Sequence, residues 1–280
     1  MIRLLGSRYG WMQIVRSALA GLLLASAAST QALVLAVNEG VTYQVIKEDM
    51  AARYAGIAAG LSKVLKQPVT VEPVLDYASL RRGLADKRFD LALVHPAHIS
   101  IEAMKYSGYH LVAVVRGYQS YQAQFLVRGD SPLKSLTELK GRKIGAPDAD
   151  SITSVMMRAT LRDAGLGLAD TEIVYTRYQD AVPFFVDNNL TPAGATAANA
   201  VIKAWTAKGG RVLAKSRQVP IKHVIAAPQI GPAQLELIRD YLLSLDGSED
   251  GRKHLEPTRY TGFDRYDEAA MLELGTWLGL

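Results

Sequence analysis

A twofold alternation of short apolar runs with stretches of helical periodicity limits the fold more than any other feature of this chain. Leu33-Val34-Leu35-Ala36-Val37-Asn38 reads as a buried strand closed by the turn-prone Asn38-Glu39-Gly40. Over residues 45–65 the apolar side chains Ile46, Met50, Tyr54, Ile57, Leu61, Val64 and Leu65 recur at the spacing of one helix face. A β-branched run at 69–74, a short helix at 77–86, a strand at 90–94 running into His95-Pro96, a helix at 97–106 and a strand at 111–115 follow. Strands separated by helices run parallel, because only a crossover returns the chain to the same end of the sheet.

The pattern then restarts. Residues 124–127 form a strand, Ser131-Pro132 and Gly141 punctuate a connection, and 143–146 opens a second α/β unit. It continues with a helix at 153–164, a strand at 172–176, a helix at 180–188, a strand at 193–197, a helix to 207 and a strand at 211–214. One more strand lies at 223–227, and helices at 232–245 and 266–278 close the chain. A single core tends to stop growing at roughly 250–300 residues, and 280 residues suit two modest ones. The expectation is an α/β fold of two lobes, 33–118 with 226–280 and 119–225. Segments near 117–127 and 217–227 join them across a cleft in which a small ligand binds.

Residues 1–16 carry Arg3, Arg8 and Arg16 with no acid and lead into the largely apolar run from Ser17 to Ala28. A basic start, a short apolar stretch and small residues around Ala25 to Ala32 predict a cleaved export signal. The run falls short of the roughly 20 apolar residues a membrane span needs. Its removal takes three of the 32 basic side chains and none of the 27 acids, leaving 29 against 27. That near-neutral balance, without a Lys/Arg-rich run, removes the phosphate-neutralising footprint of a nucleic-acid binder. The absence of cysteine excludes thiol chemistry, cysteine-based metal sites and a lipid anchor on cysteine.

Ligands of such lobes lie beyond the carboxyl ends of the strands, where helix N-termini aim free N–H groups. After Ala146 the chain reads Pro147-Asp148-Ala149-Asp150-Ser151-Ile152-Thr153-Ser154. The hydroxyls of Ser151, Thr153 and Ser154 on a first helical turn suit an oxyanion. They also suit ordinary capping, and Asp148 and Asp150 repel an anion unless they turn away. His95 and His98 follow a strand at its ligand end, where an imidazole donates to an oxyanion or caps a loop. They lack metal-ligand spacing, and no metal or cofactor is expected. Tyr43 in the first loop and Tyr121 in the first crossing suit the two sides of a ligand, or simple packing. No nucleophile elbow, phosphate loop or dinucleotide fingerprint occurs, so an enzyme is not expected.

The order of these elements, with Asp76-Tyr77-Ala78-Ser79-Leu80, Asp90-Leu91-Ala92-Leu93-Val94-His95-Pro96-Ala97, Ser120-Tyr121, and Val127-Arg128-Gly129-Asp130-Ser131 before Leu136-Thr137-Glu138-Leu139-Lys140-Gly141-Arg142, resembles the phosphate/phosphonate/phosphite-type (PhnD-like) substrate-binding proteins of ABC importers. The likeness runs from Leu33 to about Leu278. It implies a type II periplasmic-binding-protein-like fold and an anion held by Ser151, Thr153 and Ser154, with Tyr121 at the family's Ser-Tyr position. Asp180 matches an acidic position that faces an amine-bearing ligand. The second such acid is absent, since the chain reads Thr191-Pro192-Ala193-Gly194. His95 and His98 replace the family's small residues, which implies an altered pocket and argues against aminoethylphosphonate.

The expected function is a monomeric periplasmic receptor that closes on a small phosphonate, phosphite or phosphate and passes it to an inner-membrane ABC permease. One alternative presents the ligand to a sensor kinase. Another binds an organic solute such as a sulfonate or a heterocycle, stacked on Tyr43, Tyr121 and Phe184. A hydrolase using His95, His98 and Asp180 lacks a nucleophile and base at defined spacing.

Overall fold

The computed structural model describes residues 31–40 and 47–280. The export segment expected at 1–32 therefore lies almost wholly outside the described residues, as does Tyr43. Strand β1 (Leu33–Glu39) is apolar and buried on both faces between two parallel neighbours, β2 (Val69–Pro73) and β3 (Leu91–His95). That double burial is why its sequence is a continuous apolar run rather than an alternation. Helices α1 (Lys47–Leu65), α2 (Tyr77–Ala85) and α3 (Ala97–Ser107) make the crossovers up to β4 (His110–Val115). The Asp76 side chain caps α2 by accepting from the Ser79 N–H at 2.7 Å.

After β4 the chain leaves this sheet and builds a second one. Its strands are β5 (Gln124–Val127), β6 (Lys143–Ala146), β7 (Glu172–Tyr175), β8 (Ala193–Thr196) and β9 (Arg211–Lys215), in the order β7-β6-β8-β5-β9. Helices α4 (Ile152–Asp163), α5 (Val182–Asp187) and α6 (Asn199–Ala207) connect them. Strand β6 runs parallel to β7 and β8, and β5 antiparallel to β8 and β9. The chain then returns as β10 (His223–Ala226), antiparallel between β3 and β4, and β11 (Phe263–Asp264) completes the first sheet as β11-β4-β10-β3-β1-β2. The expected boundary at 225/226 falls inside β10. All four of its residues are buried and paired in the first sheet, so the return crossing ends at Lys222. Outward and return crossings lie side by side, joined by an antiparallel bridge between Tyr121 and Val219.

Helices α7 (Pro232–Ser244), α8 (Glu249–Leu255) and α9 (Glu268–Leu278) end the chain. Helix α8 leaves no mark in the sequence pattern, because its seven mostly polar residues bury only Gly251 and Leu255 and show no periodicity. One face of the first sheet is covered by α1 and α7 through Met50, Tyr54, Ile57, Leu61, Ile238 and Leu242. The core on the other face, with Leu80, Leu84, Ile99 and Ile101, continues without a break into Ile152, Val155, Met156 and Ala159 of the second lobe. Helix α9 packs on α3 and α4 together. Its Trp277 donates from Nε1 to Asp163 at 2.8 Å, and its carbonyl accepts from the Arg162 guanidinium. No helix among the described residues is long and apolar enough to cross a membrane.

Candidate functional site

The loops beyond the carboxyl ends of β1 and β3 meet those of β6 and β8. Buried Asn38 near the end of β1 donates to the Val74 carbonyl at 2.7 Å and accepts from the Gly40 N–H at 3.0 Å. This turn carries Gly40 across the His95 ring at φ +92°, and a Cβ there would stand 2.6 Å from His95 Cδ2. Only glycine meets both demands. His95 pairs in register with Glu39 at the end of β3. Together they form the first-lobe wall of a cleft of about 460 Å³. Gln179, Ala197 and Asn199 form the second-lobe wall, and Tyr118, Ser120, Tyr121, Ile221 and Lys222 from the crossings form its base.

Behind Tyr121 stands the start of α4. Ser151 is its N-cap, accepting from the Ser154 N–H at 3.2 Å and donating to Ser154 Oγ at 3.2 Å. Ser154 donates to the Pro147 carbonyl at 2.9 Å. Thr153 is buried, and its Oγ1 lies 3.1 Å from the Tyr121 hydroxyl. Gln179 Oε1 accepts from the Ala197 N–H at 2.7 Å and from Thr196 Oγ1 at 3.2 Å, so its amide nitrogen donates to the Tyr121 oxygen at 3.0 Å. The Tyr121 hydroxyl thus accepts from Gln179 and shares a hydrogen bond with Thr153 Oγ1. The N–H groups of Ile152 and Thr153, in the first turn, have no intrahelical acceptor and form the positive end of the helix.

Asp150, beside this turn, faces away from it. Arg81 of α2 grips its carboxylate with two bonds of 2.6 and 2.8 Å and donates through Nε to Glu102 at 2.8 Å. His98 Nε2 lies 3.3 Å from the same carboxylate, while its buried Nδ1 has no partner among the described residues. Burial pushes the Asp150 carboxyl up, but the bonds from Arg81 and His98 outweigh it and hold the group well below the usual carboxylate range. The acid next to the helix start is thus neutralised from the other lobe, and the same contacts clasp the two lobes together.

At the base of the cleft half-buried Lys222 sets its ammonium 4.0 Å from the Tyr118 ring centroid, 4.8 Å from that of Tyr260 and 3.4 Å from the Tyr260 hydroxyl. Glu39 is held elsewhere, by the Arg53 guanidinium and by the Tyr54 hydroxyl at 2.7 Å. Burial lowers Lys222 to about 8 against the opposing pull of Glu39. Burial, with the nearby Lys222, His98 and His223, lowers His95 to about 3, so its ring is neutral at pH 7.

The candidate residues therefore separate. His95 and Tyr121 line the cleft; Ser151, Thr153 and Ser154 lie behind Tyr121; His98 belongs to the clasp. Asp180 is exposed on the short turn Gln179–Ala181, whose cleft-lining side chain is its neighbour Gln179. The sequence pattern does not single out Lys222, Gln179 or Arg81. The available signal is a lone basic residue entering a buried strand in Ile221-Lys222-His223-Val224, whereas Arg81 shows no pattern before its partner across the chain is known. No group of three or more potential metal ligands stands together among the described residues.

No curated protein matches the sequence. Among solved structures, a Xanthomonas citri protein bound to ATP is 16% identical with a TM-score of 0.71, covering 89% of this chain and 97% of that one. PhnD1 from Prochlorococcus marinus in complex with methylphosphonate is 16% identical with a TM-score of 0.63 over 89% and 97% of the two chains. The periplasmic aliphatic sulphonate binding protein SsuA from Escherichia coli is 17% identical with a TM-score of 0.53 over 88% and 74%. These likenesses establish the type II periplasmic-binding-protein fold. The model of the family described as "ABC transporter, phosphonate, periplasmic substrate-binding protein" matches residues 40–271, and the chain belongs to that family.

Proposed function

We propose that this chain is exported through residues 1–32, works in the periplasm as a monomer, and delivers a small anion of the phosphonate class to an inner-membrane ABC permease without making or breaking a bond. The observation that carries this reading is the cleft of about 460 Å³, whose walls come from both lobes and whose base is the pair of crossings. A ligand touching both walls stabilises the closed arrangement by its differential affinity, and a permease reads occupancy from that closure. On this reading His95 and the Tyr121–Gln179 pair contact the ligand. The start of α4, with Ser151, Thr153 and Ser154, supplies positive potential from behind Tyr121. Similar structures hold methylphosphonate in one case and ATP in another, which supports a cleft that takes phosphorus oxyanions.

Isothermal titration and thermal melting of residues 33–280 with phosphate, phosphite, methylphosphonate and sulfate test the proposal. At least one phosphorus anion is expected to bind with Kd of about 1 μM or tighter, worth about 8 kcal/mol. It is also expected to raise Tm by mass action. Absence of both heat and thermal shift with all four removes the anion-receptor reading.

A further inference from the structure

A second cavity, of about 300 Å³, lies along the body of α4 and shares no lining residue with the cleft. The second lobe gives it Val155 and Leu161 of α4, Leu166 beyond the helix end and Ile173 of β7. The first lobe gives it Leu278 and Leu280 at the end of α9, beside Arg81 and His98 of the clasp. No Phe, Tyr or Trp stands among the described lining residues, so the walls suit an aliphatic chain, which needs no ring to stack on. Leu168 at the rim is 74% exposed, an apolar side chain that the protein leaves uncovered.

Charge is the second observation. Three guanidiniums and two carboxylates line the cavity, and Arg81 holds both carboxylates, Glu102 and Asp150. Arg158 donates to the Ala149 carbonyl at 3.0 Å and the Tyr175 hydroxyl at 3.2 Å, and Arg162 donates to the Trp277 carbonyl. Every Asp and Glu of the chain lies among the described residues, and none comes within 4.0 Å of a nitrogen of Arg158 or Arg162. The Leu280 carbonyl is engaged by the Lys105 ammonium instead. A guanidinium carries five N–H donors in a planar fork that matches a carboxylate, so both arginines keep donors to spare. In the same wall His98, 1% exposed, leaves its Nδ1 without a partner among the described residues.

Size bounds the occupant. About 300 Å³ is the low end of the range for organic-ligand sites. At about 30 Å³ per water it takes about ten water-sized groups, as many as the heavy atoms of octanoate.

We propose that this cavity is a second ligand site and that it takes a medium-chain aliphatic carboxylate. Arg158 and Arg162 receive the carboxylate, and the tail lies along Val155, Leu161, Ile173 and Leu168. The site goes beyond the receptor reading and stands whatever the cleft binds.

The test is titration calorimetry of the wild-type protein with acetate, hexanoate, octanoate and octylammonium. Octanoate is then titrated into Arg158→Met, Arg158→Lys, Leu168→Asp and, in the cleft, Lys222→Met. Octanoate is expected to bind wild type with Kd of about 100 μM or tighter. A buried methylene is worth about fourfold in affinity, so octanoate is expected to bind about tenfold tighter than hexanoate, with acetate and octylammonium giving no heat. Arg158→Met is expected to weaken octanoate about fivefold and Leu168→Asp about tenfold or more, with Arg158→Lys within about twofold of wild type. Lys222→Met is expected to bind octanoate as wild type does. Arg158 is half-exposed and Leu168 exposed, so Tm of their ligand-free variants is expected to stay within about 2 °C of wild type. If Arg158→Met falls further than that, Leu168→Asp decides. Affinity lost in Lys222→Met and kept in Leu168→Asp places octanoate in the cleft and overturns the second site. Equal binding of octylammonium overturns the role of the two guanidiniums. A wild-type protein that does not bind octanoate overturns the whole inference while the receptor reading stands.

Discussion

Single residues at the base of the fold set its response to acid. His223 is fully buried in β10, donating from Nε2 to the Pro220 carbonyl at 3.0 Å and facing Ser100 Oγ through Nδ1 at 2.5 Å. A carbonyl can only accept, so Nε2 carries a proton. Burial lowers the imidazole to about 4, against about 6.5 in an unfolded chain. As pH falls from about 6.5 the unfolded chain takes up a proton that the folded one refuses until about 4. The stabilisation is therefore complete above 6.5 and lost on the way down, by up to about 3 kcal/mol. Urea unfolding of wild type and His223→Gln across pH 7 to 4.5 reads this: the variant is expected to show a shallower decline, and parallel curves would contradict the argument. None of this is visible in the sequence, where His223 reads as one polar residue before an apolar run. The hydroxyls of Ser151, Thr153 and Ser154 are visible there because clustering at a helix start is a local property. Their actual partners, Pro147 and Tyr121, depend on how a loop and a crossing fold back.

Between elements the clasp of α2 and α3 on the loop before α4 is the contact most open to test. Arg81 and Asp150 are partly exposed, so their bidentate pair contributes about 1 kcal/mol to closure rather than the larger figure of a buried pair. Asp150→Asn and Arg81→Met are each expected to weaken binding of the best anion about fivefold and to enlarge the ligand-free radius of gyration in X-ray scattering. The double variant is expected to match the worse single one, and additive losses would show that the two side chains act separately. Because the Asp150 carboxyl is held below its ordinary range, its contribution is present at all pH values above about 4 and lost as pH falls further. The clasp thus stays made at neutral pH. The alternating elements of both lobes are legible in the sequence, since strand and helix periods differ and parallel strands are apolar throughout. Helix α8 and the two-residue β11 are not, being too short to show a period, and the end of the return crossing is not, because β10 is apolar in either lobe.

Across the whole molecule the lobes are joined by more than their crossings. The continuous core from Ile99 and Ile101 to Val155 and Met156, with Trp277 of α9 wedged against both lobes, makes a third seam. Trp277→Ala is expected to lower unfolding free energy by about 3–5 kcal/mol, as for other large-to-small core changes. Trp277→Phe, which keeps most of the packing and loses the Nε1 bond to Asp163, is expected to cost about 1 kcal/mol. Equal losses in urea melts would assign the whole effect to the hydrogen bond. Two α/β lobes with a cleft follow from the restarted alternation, whereas this seam needs side chains far apart in the chain to meet, Trp277 and Asp163 being 114 positions apart.

The side-by-side crossings at Tyr121 and Val219 have a mechanical corollary. Once the clasp and the third seam part, two bodies tied along one edge retain a single rotation about that edge, like a page about its spine. Occupancy of the receptor then reduces to one angle, and one pair of spectroscopic labels, on exposed Glu48 of α1 in one lobe and exposed Lys203 of α6 in the other, is enough to follow it.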